Sequence, residues 1–113
     1  MRAQADSSVA ALELEIAHET VAVDQVVDGA PTTGFATITS FGELEVGVWE
    51  MTVGAMRDVE TDEVFVVIAG RATVTFDADE RVMDLSAGSV ARLTAGERTV
   101  WTVTETIRKV YIV

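Results

Sequence analysis

The chain has 113 residues, 49% of them hydrophobic, and a formal net charge of −11. This length supports one domain with one core, and the hydrophobic share excludes disorder over most of the chain. The negative charge argues against a nucleic-acid partner, because phosphates would be repelled. No apolar run approaches the ~18–20 residues that span a bilayer, so we expect no membrane partner. The absence of cysteine excludes thiolate nucleophiles and disulfides, and a cytoplasmic location is expected.

The N-terminal part of the chain is predicted to be peripheral. We expect a flexible arm over residues 1–10, followed by a single domain over residues 11–113. Residues 12–16 alternate apolar and acidic side chains, which predicts an edge strand with the apolar side chains inward; a short helix is the alternative. The only histidine, His18, follows this stretch and is expected to be a solvated surface residue.

The remainder of the chain reads as a series of strands. Runs of β-branched and aromatic residues, bounded by turn residues, occupy residues 35–41, 44–53, 63–69, 71–76, 81–85, 89–93, 99–103 and 107–113, after an apolar pair at 26–27 that runs into a turn. Two of these runs meet at Gly70 and are predicted to turn back on each other as antiparallel strands. About nine to eleven short strands, without sustained helical periodicity, predict an all-β sandwich or barrel.

Alternation along the predicted strands assigns side chains to faces. Phe65 and Val67 share one face of their strand, but the opposite face is also apolar. One face is therefore expected to line a closed interior and the other to meet a second sheet or a second subunit. Trp49 and Met51 share a face of an earlier strand. Alternation does not decide whether that face points inward.

Two spacings carry a family resemblance. Glu63 is followed after six residues by Gly70, and Gly88 is followed after five residues by Thr94-Ala95-Gly96. These spacings resemble the two motifs of the cupin superfamily. The first cupin motif ends in Glu-x6-Gly, and the second has the pattern Gly-x5-Pro-x-Gly. The resemblance implies a cupin-type jelly-roll β-barrel of two antiparallel sheets, with a ligand pocket between them.

Other segments resemble a narrower group. Gly47-Val48-Trp49-Glu50 and the stretch from residue 101 to residue 111 are similar to the single-domain cupins related to (S)-ureidoglycine aminohydrolase. The likeness covers about residues 25–113. It implies a ureide or an amino-acid-like compound as the ligand.

The resemblance fails at the metal ligands. Metal-binding cupins take two histidines from a His-x-His pair before the motif Glu, and a third from the second motif. Here residues 56–62 contain no histidine and the second-motif position holds Thr99, so only Glu63 remains. We therefore expect no transition metal and no cofactor. Asp58, Glu60 and Glu63 could hold Mg²⁺ or Ca²⁺ weakly, although such an acidic run is more typical of a solvated loop.

Glu63 is the candidate catalytic residue. If its side chain points into the barrel, as the resemblance implies, an unpartnered carboxylate on an apolar wall is suited to act as a general acid or base. The alternative is a structural salt bridge to an inward-facing cation such as Arg92 or Lys109.

The candidate ligand-binding residues combine aromatic and polar side chains. They are Trp49, Met51, Glu63, Phe65, Thr99, Trp101, Lys109 and Tyr111. An inward Trp101 would suit stacking of a planar or cationic ligand, with plain core packing as the alternative. Lys109 and Tyr111 share a face and could hold a carboxylate or carbonyl, unless they lie on an exposed edge.

Three functions remain open from the sequence. The first is a small cupin-domain protein that binds a small polar metabolite. The second is a non-catalytic interaction or regulatory module with a filled barrel, acting as a dimer. The third is a metal-dependent cupin enzyme of ureide or amino-acid metabolism with an altered ligand set. Apolar residues on both strand faces lead us to expect a homodimer.

Overall fold

The structure is a computed structural model that describes residues 4–113, so the first three residues of the predicted arm lie outside it. Regular structure in this range consists of nine β-strands: β1 Glu19–Thr20, β2 Val26–Asp28, β3 Thr32–Phe41, β4 Leu44–Met51, β5 Gly54–Val59, β6 Glu63–Phe76, β7 Val82–Ser86, β8 Val90–Leu93 and β9 Arg98–Ile112. All pairings are antiparallel. The predicted all-β fold is confirmed. Within residues 4–113, no helix is both long and apolar enough to cross a membrane.

Two long strands, β6 and β9, form the frame of the barrel. They pair with each other along most of their length, from Val64 opposite Ile112 to Phe76 opposite Thr99. The C-terminal half of β9 also pairs with β4, whereas its N-terminal half pairs with β5. In the same way, β6 pairs first with β8 and then with β7. Each long strand therefore passes from one half of the curled sheet into the other.

The predicted turn at Gly70 is wrong, because β6 runs unbroken through this residue. Gly70 has a φ of 88° and lies where the register between β6 and β9 shifts. A Cβ at this position would overlap the carbonyl oxygen of Thr106 on β9. The glycine therefore permits a bulge that bends two closely apposed strands, rather than a hairpin. Residues 99–103 and 107–113 were likewise predicted as separate strands, but both belong to β9 except for Val113.

The two halves of the curled sheet pack face to face. Trp49 on β4 and Trp101 on the N-terminal half of β9 meet with their ring centroids 5.2 Å apart. Phe65 on β6 lies 5.8 Å from the same Trp101 ring. Around these rings lies a continuous apolar core that includes Met51, Val67, Val74, Leu93 and Ile107. Inward-facing residues thus fill much of the barrel, and the cavity described below lies between its halves.

The predicted edge strand at residues 12–16 is also wrong. Residues 11–13 form a turn, and Leu12 is 63% exposed. Among residues 4–113, no strand pairs with this segment. Instead, the guanidinium of Arg108 donates hydrogen bonds to the carbonyl oxygens of Ala11 and Leu14, at 2.9 and 2.8 Å. The Arg108 side chain, rather than a neighbouring strand, thus supplies the hydrogen bonds that these two backbone carbonyl groups accept.

His18 is half-buried and bonded on both ring nitrogens, in contrast to the solvated residue expected from the sequence. Its Nε2 lies 2.7 Å from Oε1 of Glu50, and its Nδ1 lies 2.8 Å from Oγ1 of Thr32. Arg108 donates its Nε–H to the other oxygen of Glu50 at 2.8 Å. Burial raises the pKa of Glu50, but the hydrogen bonds from Arg108 and His18 hold it below its usual value. This network ties the N-terminal segment to β4 and β9 on the outside of the barrel.

Candidate ligand-binding site

A cavity of about 250 Å³ lies between the two halves of the barrel. Its walls come from β3, β4, the end of β5, the start of β6, and both halves of β9. The lining residues are Phe35, Trp49, Asp58, Val59, Glu60, Thr61, Glu63, Trp101, Lys109 and Tyr111. Strand register explains this grouping, since Phe35 opposes Trp49 on β3 and β4, and Trp49 opposes Lys109 on β4 and β9.

The ammonium group of Lys109 lies among three aromatic rings. Its Nζ is 4.7 Å from the ring centroid of Trp49, 4.4 Å from that of Phe65 and 4.7 Å from that of Trp101. It also donates a hydrogen bond to Oε2 of Glu63 at 2.9 Å. The two side chains are 6% and 12% exposed. A buried cation of this kind is stabilised both by its carboxylate partner and by the negative faces of the rings.

The carboxylate of Glu60 is buried as well. Trp101 donates its indole N–H to Oε2 of Glu60 at 2.9 Å, and the hydroxyl of Thr99 donates to the same oxygen at 2.6 Å. Glu60 is 8% exposed. These two bonds fix the orientation of the Trp101 ring, so the aromatic wall of the cavity is held in place by a polar group.

Asp58 is half-buried beside Glu60. Loss of solvation, reinforced by repulsion from the Glu60 carboxylate, raises the pKa of Asp58 to about 6. One of its oxygens, Oδ1, accepts the backbone N–H of Val59 at 2.8 Å. Asp58 also borders a second cavity, of about 340 Å³, whose lining includes Arg57 and Arg98 but no aromatic side chain. The smaller cavity is the one in which aromatic walls and charged groups converge.

The ring of Tyr111 packs against Gly47 on the neighbouring strand β4. A Cβ on Gly47 would overlap the phenol of Tyr111, so the ring occupies the space that a side chain on β4 would fill. The phenol hydroxyl donates to Oε2 of Glu45 at 3.4 Å. Burial and the nearby negative charge of Glu45 raise the pKa of Tyr111 above its usual value.

Five of the predicted ligand-binding residues line the cavity. They are Trp49, Glu63, Trp101, Lys109 and Tyr111. Lys109 and Tyr111 are 5% and 7% exposed, so they do not lie on the open edge that was the alternative. The alternative salt bridge between Glu63 and Lys109 is confirmed, whereas a catalytic role for Glu63 stays a prediction.

The other three predicted residues lie behind the cavity wall. Met51 is fully buried in the core, and Phe65 is fully buried with its ring against the Lys109 ammonium. Thr99 is buried and holds Glu60. Sequence reasoning missed Phe35 and the buried state of Glu60, which it placed in a solvated acidic loop. Glu60 has the same parity as Met56 and Asp58, and this continuation of the inward face of β5 was the available signal.

The residues at the metal positions do not fit a transition metal. Residues 56–62, which precede the motif glutamate, contain no histidine, and the second-motif position holds Thr99. The one remaining carboxylate, Glu63, is bonded to an ammonium group. Within residues 4–113, no group of three or more His, Asp or Glu side chains is arranged to hold a metal ion.

The curled antiparallel sheet, with a cavity between its halves, defines the protein as a cupin-type jelly roll. The model of the EutQ-like cupin domain matches residues 40–111. The chain belongs to this family. The narrower resemblance to the ureidoglycine aminohydrolase group is not confirmed by these findings. No match was found among the curated proteins.

Solved structures support the fold assignment. The Clostridium difficile EutQ protein matches with a TM-score of 0.61 and 21% identity, over 73% of this chain and 61% of its own. A putative ethanolamine utilization protein from Salmonella typhimurium matches with a TM-score of 0.64 and 13% identity, over 87% and 94%. A protein of unknown function from Pseudomonas syringae matches with a TM-score of 0.75 and 17% identity, over 88% and 44%. The chain thus spans less than two thirds of the Clostridium and Pseudomonas proteins.

Proposed function

We propose that this cupin domain binds a small polar metabolite in the cavity beside Glu63 and Lys109, without a transition metal. The observation that carries the proposal is the convergence of aromatic walls and charged groups on one cavity. At about 250 Å³, the cavity is slightly smaller than typical drug-sized sites, and it therefore suits a metabolite of few atoms. The ammonium of Lys109 supplies the positive charge that a metal supplies in other cupins.

The aromatic walls favour a planar or cationic ligand. The rings of Trp49 and Trp101 are oriented edge to face, at an interplanar angle of 61°. Phe35, which is 65% exposed, stands beside them on β3. A ureide or an amino-acid-like compound would stack on such rings and hydrogen-bond to the charged groups. We place the protein in the cytoplasm as part of this proposal.

An interaction role is the second candidate, and the outer face of the sheet favours it. Val66 and Val90 oppose each other on β6 and β8, and are 37% and 70% exposed. Val64 and Ile112, in the adjacent row of that face, are also partly exposed. A contiguous apolar surface of this kind is typical of a subunit interface, and we propose that a second copy of the chain covers it.

Ligand binding can be tested with the intrinsic tryptophans. The chain has two, Trp49 and Trp101, and both line the cavity, so their fluorescence reports on its occupancy. A thermal-shift screen of small metabolites and divalent metals should yield at least one organic compound that raises the melting temperature and changes this fluorescence.

Two variants test whether a compound found in the screen binds in this cavity. Glu63→Gln should abolish the hit, whereas Asp84→Asn, at an exposed position on β7, should leave it unchanged. A screen in which only transition metals stabilise the protein would refute the proposal.

Dimer formation is tested separately by light scattering. The unmodified protein should have twice the mass of one chain, and Val66→Asp should reduce it to one. A monomeric unmodified protein would refute the interface without bearing on the cavity.

A further inference from the structure

The charges that face the cavity do not balance. Its lining contains three carboxylates, on Asp58, Glu60 and Glu63, and one ammonium, on Lys109. The ammonium of Lys109 already forms an ion pair with Glu63 and lies against the three rings around it. Lys109 also attracts the Asp58 carboxylate, but burial and repulsion from Glu60 outweigh this attraction. The pair formed by Asp58 and Glu60 therefore keeps an excess of negative charge.

Each member of this pair has an oxygen available to a ligand. Both hydrogen bonds to Glu60 reach Oε2, and among residues 4–113 none reaches Oε1. In that range, no side-chain oxygen or nitrogen is both fully buried and without a partner, so Oε1 of this 8%-exposed residue touches solvent-accessible space. On Asp58, one oxygen is bonded to the Val59 N–H, and the other accepts no hydrogen bond from the described part of the chain.

The electrostatics of the pair support the same conclusion. Burial, together with repulsion from Glu60, raises the pKa of Asp58. Such a shift marks a site where an additional positive charge would be stabilising. An anionic ligand would have to displace Glu63 from Lys109 and would face the remaining carboxylates.

We propose that the ligand of this cavity is a small organic cation with a planar or compact head group, such as a guanidinium, an amidinium or a primary ammonium. Its N–H groups donate to Oε1 of Glu60 and to the free oxygen of Asp58, and its apolar part lies against the rings of Trp49 and Phe35. This inference rests on the proposed metabolite-binding function and narrows it to one charge class. Donation from a charged group to a carboxylate is the strongest hydrogen bond available at such a site.

Three probes of similar shape separate the charge classes: methylguanidinium, methylurea and acetate. Binding is measured by the shifts of the two indole N–H resonances, because both indoles lie at the cavity. Methylguanidinium should shift both resonances in a saturable manner, whereas methylurea and acetate should bind at least about tenfold more weakly.

Variants test whether the carboxylate pair is responsible. Asp58→Asn and Glu60→Gln should each weaken methylguanidinium about tenfold or more, and Asp84→Asn, which removes one negative charge from an exposed position, should not. Asp58→Asn removes the repulsion between the two carboxylates, so this variant is expected to fold. It therefore keeps the test valid if the Glu60→Gln variant fails to fold.

Equal or tighter binding of methylurea or acetate would overturn the cation assignment while leaving a metabolite site in place. Binding of methylguanidinium that is unchanged in Asp58→Asn and Glu60→Gln would overturn the assignment to this pair. A lack of any methylguanidinium response would overturn the inference as well, and the metabolite screen would then decide the proposed function by itself.

Discussion

The ion pair between Glu63 and Lys109 offers a quantitative test of the site. Lys109 is the only lysine in the chain, and its Nζ lies 2.9 Å from Oε2 of Glu63. At an effective dielectric constant of about 20, the attraction at this distance is about 6 kcal/mol. The loss of hydration of both groups offsets most of it. Removal of one partner leaves the other charge buried and unpaired, and it therefore costs much more than removal of both.

A double-mutant cycle measures this difference. Lys109→Met should lower the free energy of unfolding by about 3 kcal/mol, and Glu63→Gln by about 2 kcal/mol. The double variant should lie within about 1 kcal/mol of the unmodified protein, because its uncharged side chains leave no buried charge at this position. The coupling free energy is therefore expected to be at least about 4 kcal/mol.

Urea denaturation, monitored by tryptophan fluorescence, provides these free energies of unfolding. The slope of the free energy of unfolding against urea concentration should be the same in all variants. Glu105→Gln is the control, at an exposed position on β9, and should change the stability by less than about 0.5 kcal/mol. A coupling below about 0.5 kcal/mol, or a double variant that loses the sum of the two single effects, would refute the reasoning.

Three further predictions concern the bulge, the carboxylate pair and the N-terminal segment. Gly70→Ala should destabilise the protein by at least about 2 kcal/mol more than Gly88→Ala in urea denaturation. Both glycines have a positive φ, but only Gly70 lies against a neighbouring strand. Equal effects of the two substitutions would contradict this prediction. Asp58→Asn should raise the stability by about 1 kcal/mol at pH 8, after allowance for solvent screening of a half-buried group. The raised pKa of Asp58 means that its charged form destabilises the fold above about pH 6, so this gain should disappear as the pH falls below about 4; a gain that is independent of pH would be evidence against the repulsion. His18→Ala should speed hydrogen exchange in residues 8–18, because Glu50 loses one of its partners, and unchanged exchange would show that the network does not hold the segment.

The family motifs predicted the fold better than the local patterns did. Alternation placed Phe65 and Val67 on one face of their strand but left open which face is the inner one, and the structure buries both residues. The spacing from Glu63 to Gly70 correctly indicated a cupin. The hairpin at Gly70 was wrong because a glycine with positive φ serves a bulge as well as a turn, and only the partner strand distinguishes the two.

Contacts remote in sequence account for the other differences. The segment at residues 12–16 has the period of a strand, but Arg108 satisfies its backbone groups from more than 90 positions away. No local pattern reports such a contact. Glu60 was likewise assigned to solvent, because it lies in an acidic run. Its alternation with Asp58 was the one local signal of an inward position, and its partners Thr99 and Trp101 lie 39 and 41 positions away.

The two indole N–H resonances, recorded while small metabolites and divalent metals are added to the protein, test the central claim most directly. The account predicts that at least one small organic compound moves both the Trp49 and the Trp101 signals saturably, and that the response is lost in Glu63→Gln. If no organic compound moves them, and stoichiometric Zn²⁺, Mn²⁺ or Fe²⁺ does, the site is a metal centre and the account is contradicted.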